Sequence, residues 1–102
     1  MSVKTISPAE AIRAIDAGTA IVLDVRQPEE HELQRIPGAL LLPLNTITAE
    51  SAARLLPDKD ALIYVHCQSG VRSAAAARRL EALGYTNLRD MGGLMSWPYE
   101  LE

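Results

Sequence analysis

Cysteine is all but missing from this chain: Cys67 is the only one in 102 residues. A single thiol excludes an internal disulfide and any zinc site built from several cysteines, and it fits a reducing compartment. The two histidines, His31 and His66, lie too far apart in the chain to read as a metal site. No long basic run accompanies the net charge of −3, which argues against nucleic acid as a partner. No stretch approaches the roughly 20 apolar residues of a membrane span, and Met1-Ser2-Val3-Lys4-Thr5 has no apolar signal region. The expectation is a soluble, cytoplasmic protein without metal, cofactor or membrane contact. Internal repeats, low-complexity segments and linkers are also lacking, so residues 1–102 read as one domain. Nothing in it demands more than a monomer. What the chain does have is 48% hydrophobic residues, enough to bury a core without covalent staples.

Turn and cap residues divide the chain into alternating elements. Residues 3–6 make a short candidate edge strand. Ser7-Pro8-Ala9-Glu10 then reads as a helix start, with Ser7 as N-cap, Pro8 at N1 and Glu10 closing a capping box. Gly18 stops that helix. Residues 19–26 compose a central strand that turns polar only near its carboxyl end, and residues 28–33 one or two turns of acidic helix. Ile36-Pro37-Gly38-Ala39 is a turn, Leu40-Leu41-Leu42 a short strand ended by Pro43, and residues 48–56 a helix stopped by Pro57. Residues 61–65 form an apolar run short enough for a buried strand. The alanine-rich residues 73–84 form a helix closed by Gly84, residues 86–90 a last short strand, and residues 91–98 a loop with a single helical turn. Nothing is built on the closing Leu101-Glu102. Strands alternating with helices predict an α/β fold, a mostly parallel sheet with helices on both faces. Ligands of such sheets bind beyond the carboxyl ends of the strands, where both Asp24 and Cys67 are expected.

Cys67 lies between the 61–65 strand and the following helix, in the turn His66-Cys67-Gln68-Ser69-Gly70-Val71-Arg72-Ser73. A strand that delivers a thiol to the start of a helix aims several backbone N–H groups, and the positive end of the helix dipole, at one sulfur. Such surroundings favour thiolate over thiol, so Cys67 reads as a nucleophile. The bland alternative is a buried core cysteine, disfavoured here by Gly70 and Arg72 at a strand–helix junction. Arg72 in a first helical turn is unfavourable unless an anion compensates it. Ser69 and Ser73 are equally readable as helix caps and as substrate contacts.

Leu23-Asp24-Val25-Arg26 with Pro28-Glu29-Glu30, then Ile36-Pro37-Gly38-Ala39, then the loop from Cys67 to Arg72, then Gly92-Gly93 with Trp97, cover nearly the whole chain in order. With these stretches the chain resembles the single-domain rhodaneses, a family of sulfurtransferases. The resemblance implies a five-stranded parallel sheet flanked by helices, and a loop whose amides surround a cysteine persulfide. One departure stands out: the family's usual Gly-His before Ile-Pro-Gly-Ala is replaced by Gln34-Arg35.

Cysteine phosphatases also pair a cysteine with a downstream arginine, but they place five residues between the two. Here Gln68, Ser69, Gly70 and Val71 make four, a tighter ring that suits one extra sulfur atom better than a tetrahedral phosphate. The expected chemistry is attack of the Cys67 thiolate on the outer sulfur of thiosulfate or a similar small anionic donor. Gln68, Ser69, Gly70, Val71 and Arg72 would hold the anion, with Asp24 and Ser73 supporting the loop. An external thiol, cyanide or a carrier protein would then take the sulfur, since no second cysteine exists to resolve it. A non-catalytic rhodanese-like binding or regulatory module is the alternative. The remaining polar residues read as structural. His66 points away from the Cys67 side of its strand, His31 is exposed, Arg26 pairs with Glu29 or Glu30 or lies at the pocket rim, and Arg78 and Arg79 form a solvated face. Trp97 and Met95 are readable either as core or as pocket wall.

Overall fold

The capping box announced by Ser7 and Glu10 forms as expected: the Ser7 hydroxyl accepts from the Glu10 N–H and the Glu10 carboxylate from the Ser7 N–H, both at 3.2 Å. In the computed structural model, which describes residues 3–102, it opens α1 (Pro8–Asp16) behind a short β1 (Lys4–Thr5). Of the N-terminal stretch read for a signal region, Met1 and Ser2 lie outside the described residues. There follow β2 (Ile21–Asp24), α2 (Pro28–Leu33), β3 (Leu40–Leu41), a 3-10 turn (Leu44–Thr46) and α3 (Ala49–Leu55). The second half holds β4 (Ile63–Cys67), α4 (Val71–Ala82), β5 (Leu88–Gly93) and a last 3-10 turn (Leu94–Ser96). Among the described residues no helix is long and apolar enough to cross a membrane.

All five strands are parallel, in the order β1-β5-β4-β2-β3. The longer strands therefore sit inside, and the two-residue β1 and β3 form blunt edges that offer little backbone for edge-to-edge pairing. Alternation along the strands splits the apolar residues between two cores. Leu23, Val25, Ile63, Val65 and Cys67 face α3 and α4, where they meet Ala52, Leu56, Ala76 and Leu80. Val22, Tyr64 and Met91 face the other way, onto Ala11 of α1 and onto Ile36, Leu94 and Trp97. Trp97 is thus core, whereas Met95 is exposed and lies outside the core.

Besides strand ends that are trimmed by about two residues (β2 spans Ile21–Asp24, and β4 and β5 start at Ile63 and Leu88), three boundaries near the Cys67 loop differ from those the sequence suggests. Strand β4 runs on through His66 and Cys67, and α4 begins at Val71 instead of Ser73. Gly70 explains both: at φ 103° it turns the chain sharply enough to leave only Gln68, Ser69 and itself between strand and helix. Strand β5 extends to Gly93, where two glycines suggest a loop. Its pairing passes from Val65↔Asp90 to His66↔Gly92 and Cys67↔Gly93, so Met91 is an extra residue and the strand bulges there.

The last two residues, assigned to no element, are tied down. Glu102 donates its N–H to the Arg35 carbonyl at 2.8 Å and accepts from the Arg35 N–H at 3.0 Å. The Arg35 guanidinium adds an ion pair with the Glu102 carboxylate at 3.4 Å, and Leu101 packs against the second core. The arginine that departs from the expected Gly-His therefore holds Glu102 by backbone and side chain.

Candidate active site

Because the sheet is parallel, the carboxyl ends of β2 and β4 open on the same edge, and they bring Asp24 and Cys67 there. Cys67 closes β4 with no exposed surface (0%). Its Sγ accepts the Gly70 N–H at 3.0 Å. Burial alone pushes the thiol up, but the Ser73 hydroxyl and the N–H groups of Ser73, Gly70 and Ser69 outweigh it and hold the thiol below its ordinary value. The first turn of α4 and the three-residue loop thus form a partial cup of donors around one sulfur.

Ser73 and Ser69 do not cap the helix. Gly70 occupies the N-cap, so Ser73 falls inside the first turn and Ser69 outside it. The Ser73 hydroxyl lies 3.1 Å from the Gly70 carbonyl and 2.8 Å from an Asp90 carboxylate oxygen. That same oxygen accepts the Gly92 N–H at 2.9 Å, which ties the serine to the bulge of β5. Sequence reasoning missed Asp90, since 17 residues separate it from Ser73 and only the pairing of β4 with β5 brings them together.

The rear of the loop is fixed by a close approach. A Cβ on Gly93 would sit 2.1 Å from the Gln68 carbonyl oxygen, so only glycine fits. That carbonyl accepts the Met95 N–H at 3.2 Å. Gln68, Ser69 and Val71 face solvent.

On the β2 side a buried polar cluster supports the loop. Asp24 is fully enclosed and pairs with Arg26, itself 2% exposed, at 2.8 Å. Arg26 therefore joins neither Glu29 nor the rim, because its guanidinium folds back into the sheet edge. It also donates to the Gln34 carbonyl and, at 3.3 Å, to the Gln68 side chain. Asp24 accepts the Arg26 N–H at 2.9 Å, so it does stabilise the turn after β2. His31 is not simply exposed: its Nδ1 lies 2.9 Å from Asp24 Oδ2. Burial pushes the Asp24 carboxyl up, and the Arg26 guanidinium and N–H, followed by His31, outweigh that and keep it ionised. His66 is buried on the face opposite Cys67, as expected, with Nδ1 3.3 Å from the Cys67 carbonyl. Burial holds its imidazole below the ordinary value, hence neutral.

The anion that compensates Arg72 is Glu30. The two form a bidentate pair, Nη1 to Oε1 at 2.6 Å and Nη2 to Oε2 at 2.9 Å. The Arg72 guanidinium holds the Glu30 carboxyl down to about 2, assisted by the Gln27 N–H, which donates to Glu30 Oε1 at 3.0 Å. Glu30, like Asp90, escaped sequence reasoning; the one available signal was the electrostatic misfit of Arg72 at a helix start. Arg79 donates to the Leu44 carbonyl at 2.8 Å, outside this site. Among the described residues no group of three or more histidine, cysteine or acidic side chains is placed to hold a metal ion.

Fold and loop together define a parallel α/β domain that places one buried cysteine at the carboxyl edge of its sheet, beside the N-terminus of α4. The chain belongs to the rhodanese-like domain family, whose sequence model matches residues 7–99. It is 36% identical over 72 residues to the thiosulfate sulfurtransferase PspE of Escherichia coli, covering 71% of this chain and 68% of that protein. It is 35% identical over 101 residues to the probable adenylyltransferase/sulfurtransferase MoeZ of Mycobacterium tuberculosis, covering 96% of this chain but only 25% of the length of MoeZ. Among solved structures it is similar to a human single-domain sulfurtransferase, with TM-score 0.79 and 28% identity over 94% of this chain and 96% of that one. A rhodanese with anions from Escherichia coli superposes with TM-score 0.74 and 31% identity, over 81% of this chain and 96% of that one.

Proposed function

We propose that this domain is a sulfurtransferase that carries sulfane sulfur as a Cys67 persulfide, taking it from thiosulfate or a similar donor. The observation that carries the reading is the placement of Sγ at the turn between β4 and α4, where the Gly70 N–H donates to it at 3.0 Å and the thiol is held below its ordinary value. A thiolate so held attacks the outer sulfur of thiosulfate. A new sulfur–sulfur bond forms to Sγ, the old one breaks, and sulfite leaves with its electron pair. The terminal sulfur of the persulfide carries the negative charge, and the same preorganised amides stabilise it. Cyanide, a thiol or a carrier protein then attacks that terminal sulfur, and the Cys67 thiolate leaves. With one cysteine in the sequence, the acceptor comes from outside the chain. The names of PspE and MoeZ support sulfur transfer as the reaction class. The four-residue spacing between Cys67 and Arg72 supports it over phosphate ester hydrolysis. We further take residues 1–102 to act as one domain, with neither nucleic acid nor membrane as partner.

Mass spectrometry after thiosulfate treatment tests the reading. The wild type gains one sulfur atom on Cys67; Cys67→Ser gains none and makes no thiocyanate from cyanide, while its circular dichroism spectrum is unchanged. Thiocyanate production without sulfur on Cys67 would exclude the persulfide route. A fully inert wild type would leave the domain as a binding module.

A further inference from the structure

The proposed donor is a dianion, and the cation best placed to receive it already has a partner. Arg72 makes its two shortest hydrogen bonds to Glu30, and Glu30 is itself held by the Gln27 N–H at the start of α2. A guanidinium presents its bidentate edge to one carboxylate or one oxyanion pair at a time. Building on the sulfurtransferase reading, we infer that Glu30 is a specificity-determining residue, a tethered carboxylate that competes with dianionic sulfur donors for Arg72.

The geometry supports competition in three ways. First, both side chains are about one-third exposed (32% and 33%), so the pair faces solvent where an incoming anion reaches it. Second, the Gln27 N–H fixes the carboxylate before Arg72 meets it, so little ordering is needed to hold the closed pair. Third, the loop that leads into Arg72 supplies no other cation: Gln68, Ser69, Gly70 and Val71 are all uncharged. A donor that carries less charge at its transferable sulfur meets no such competitor. The carboxylate stays ionised at any pH at which the enzyme would work, so the competition is constant and not a pH switch.

Glu30→Gln keeps the shape and removes the charge. The first readout is steady-state kinetics with thiosulfate and cyanide: the thiosulfate KM of Glu30→Gln falls roughly two- to fivefold, the scale of one partly exposed ion pair, with kcat little changed. The second needs no turnover: inorganic sulfate protects Cys67 from iodoacetamide, and half-protection comes at a correspondingly lower concentration in Glu30→Gln. In an Arg72→Ala background the Glu30→Gln effect disappears. An unchanged or raised KM together with unchanged sulfate protection overturns the inference, as does a Glu30→Gln effect that persists without Arg72. If no variant turns over thiosulfate, the sulfurtransferase reading fails by itself, and sulfate protection still decides whether Glu30 guards Arg72.

Discussion

Asp24 and Arg26 show what a single enclosed charge pair does for the loop. Neither has access to water, and each would be expensive to bury alone. Asp24→Ala leaves the Arg26 guanidinium with only neutral acceptors, Gln34 and Gln68, and should cost about 3–5 kcal/mol, measured by urea unfolding. The double change Asp24→Leu with Arg26→Met removes both charges and should cost clearly less. At this scale the sequence was informative about chemistry and poor about partnerships. The nucleophile was legible because strand, Cys67, Gly70 and helix follow one another directly. Glu30 with Arg72, His31 with Asp24 and Ser73 with Asp90 were not, because each pair depends on which elements the sheet order brings side by side.

Among the elements, β5 is the one that shapes the loop without belonging to it. Its bulge at Met91 supplies Asp90 to Ser73, and its last residue is the glycine on which the Gln68 carbonyl rests. Gly93→Ala puts a methyl group where backbone already stands. The loop has to move, at roughly 1–3 kcal/mol, the usual scale of overpacking. The thiol should rise as its donors lose alignment. Circular dichroism melting reads the first effect and the pH dependence of iodoacetamide alkylation the second; an unshifted alkylation midpoint would show that the loop tolerates the methyl group. The sequence placed the helix cap at Ser7 well, because capping is local. It misread β5 because Gly92-Gly93 looks like a loop unless one knows that another backbone presses against it.

For the molecule as a whole, acid should weaken the fold first through His66 and then through the carboxyls of Glu30 and Asp24, both held below their ordinary values. His66 is buried neutral with its imidazole held below the ordinary 6.5, so the unfolded chain takes up that proton first. Its contribution is complete above 6.5 and declines as pH falls below that value. Glu30 comes next: its carboxyl lies near 2 instead of 4.5, so the stability it lends is complete above 4.5 and is lost as pH falls towards 2. Urea midpoints measured across this range should decline in both intervals, and Glu30→Gln should reduce the decline in the lower one only, leaving the share of Asp24.

The thiol that gives the domain its chemistry has no surface of its own. Under the persulfide reading, a donor meets Sγ only when the atoms enclosing it shift. On that reading, the rate of loading would have a ceiling set by that motion, however abundant the donor. Between encounters, the same enclosure shelters the sulfur from stray oxidants.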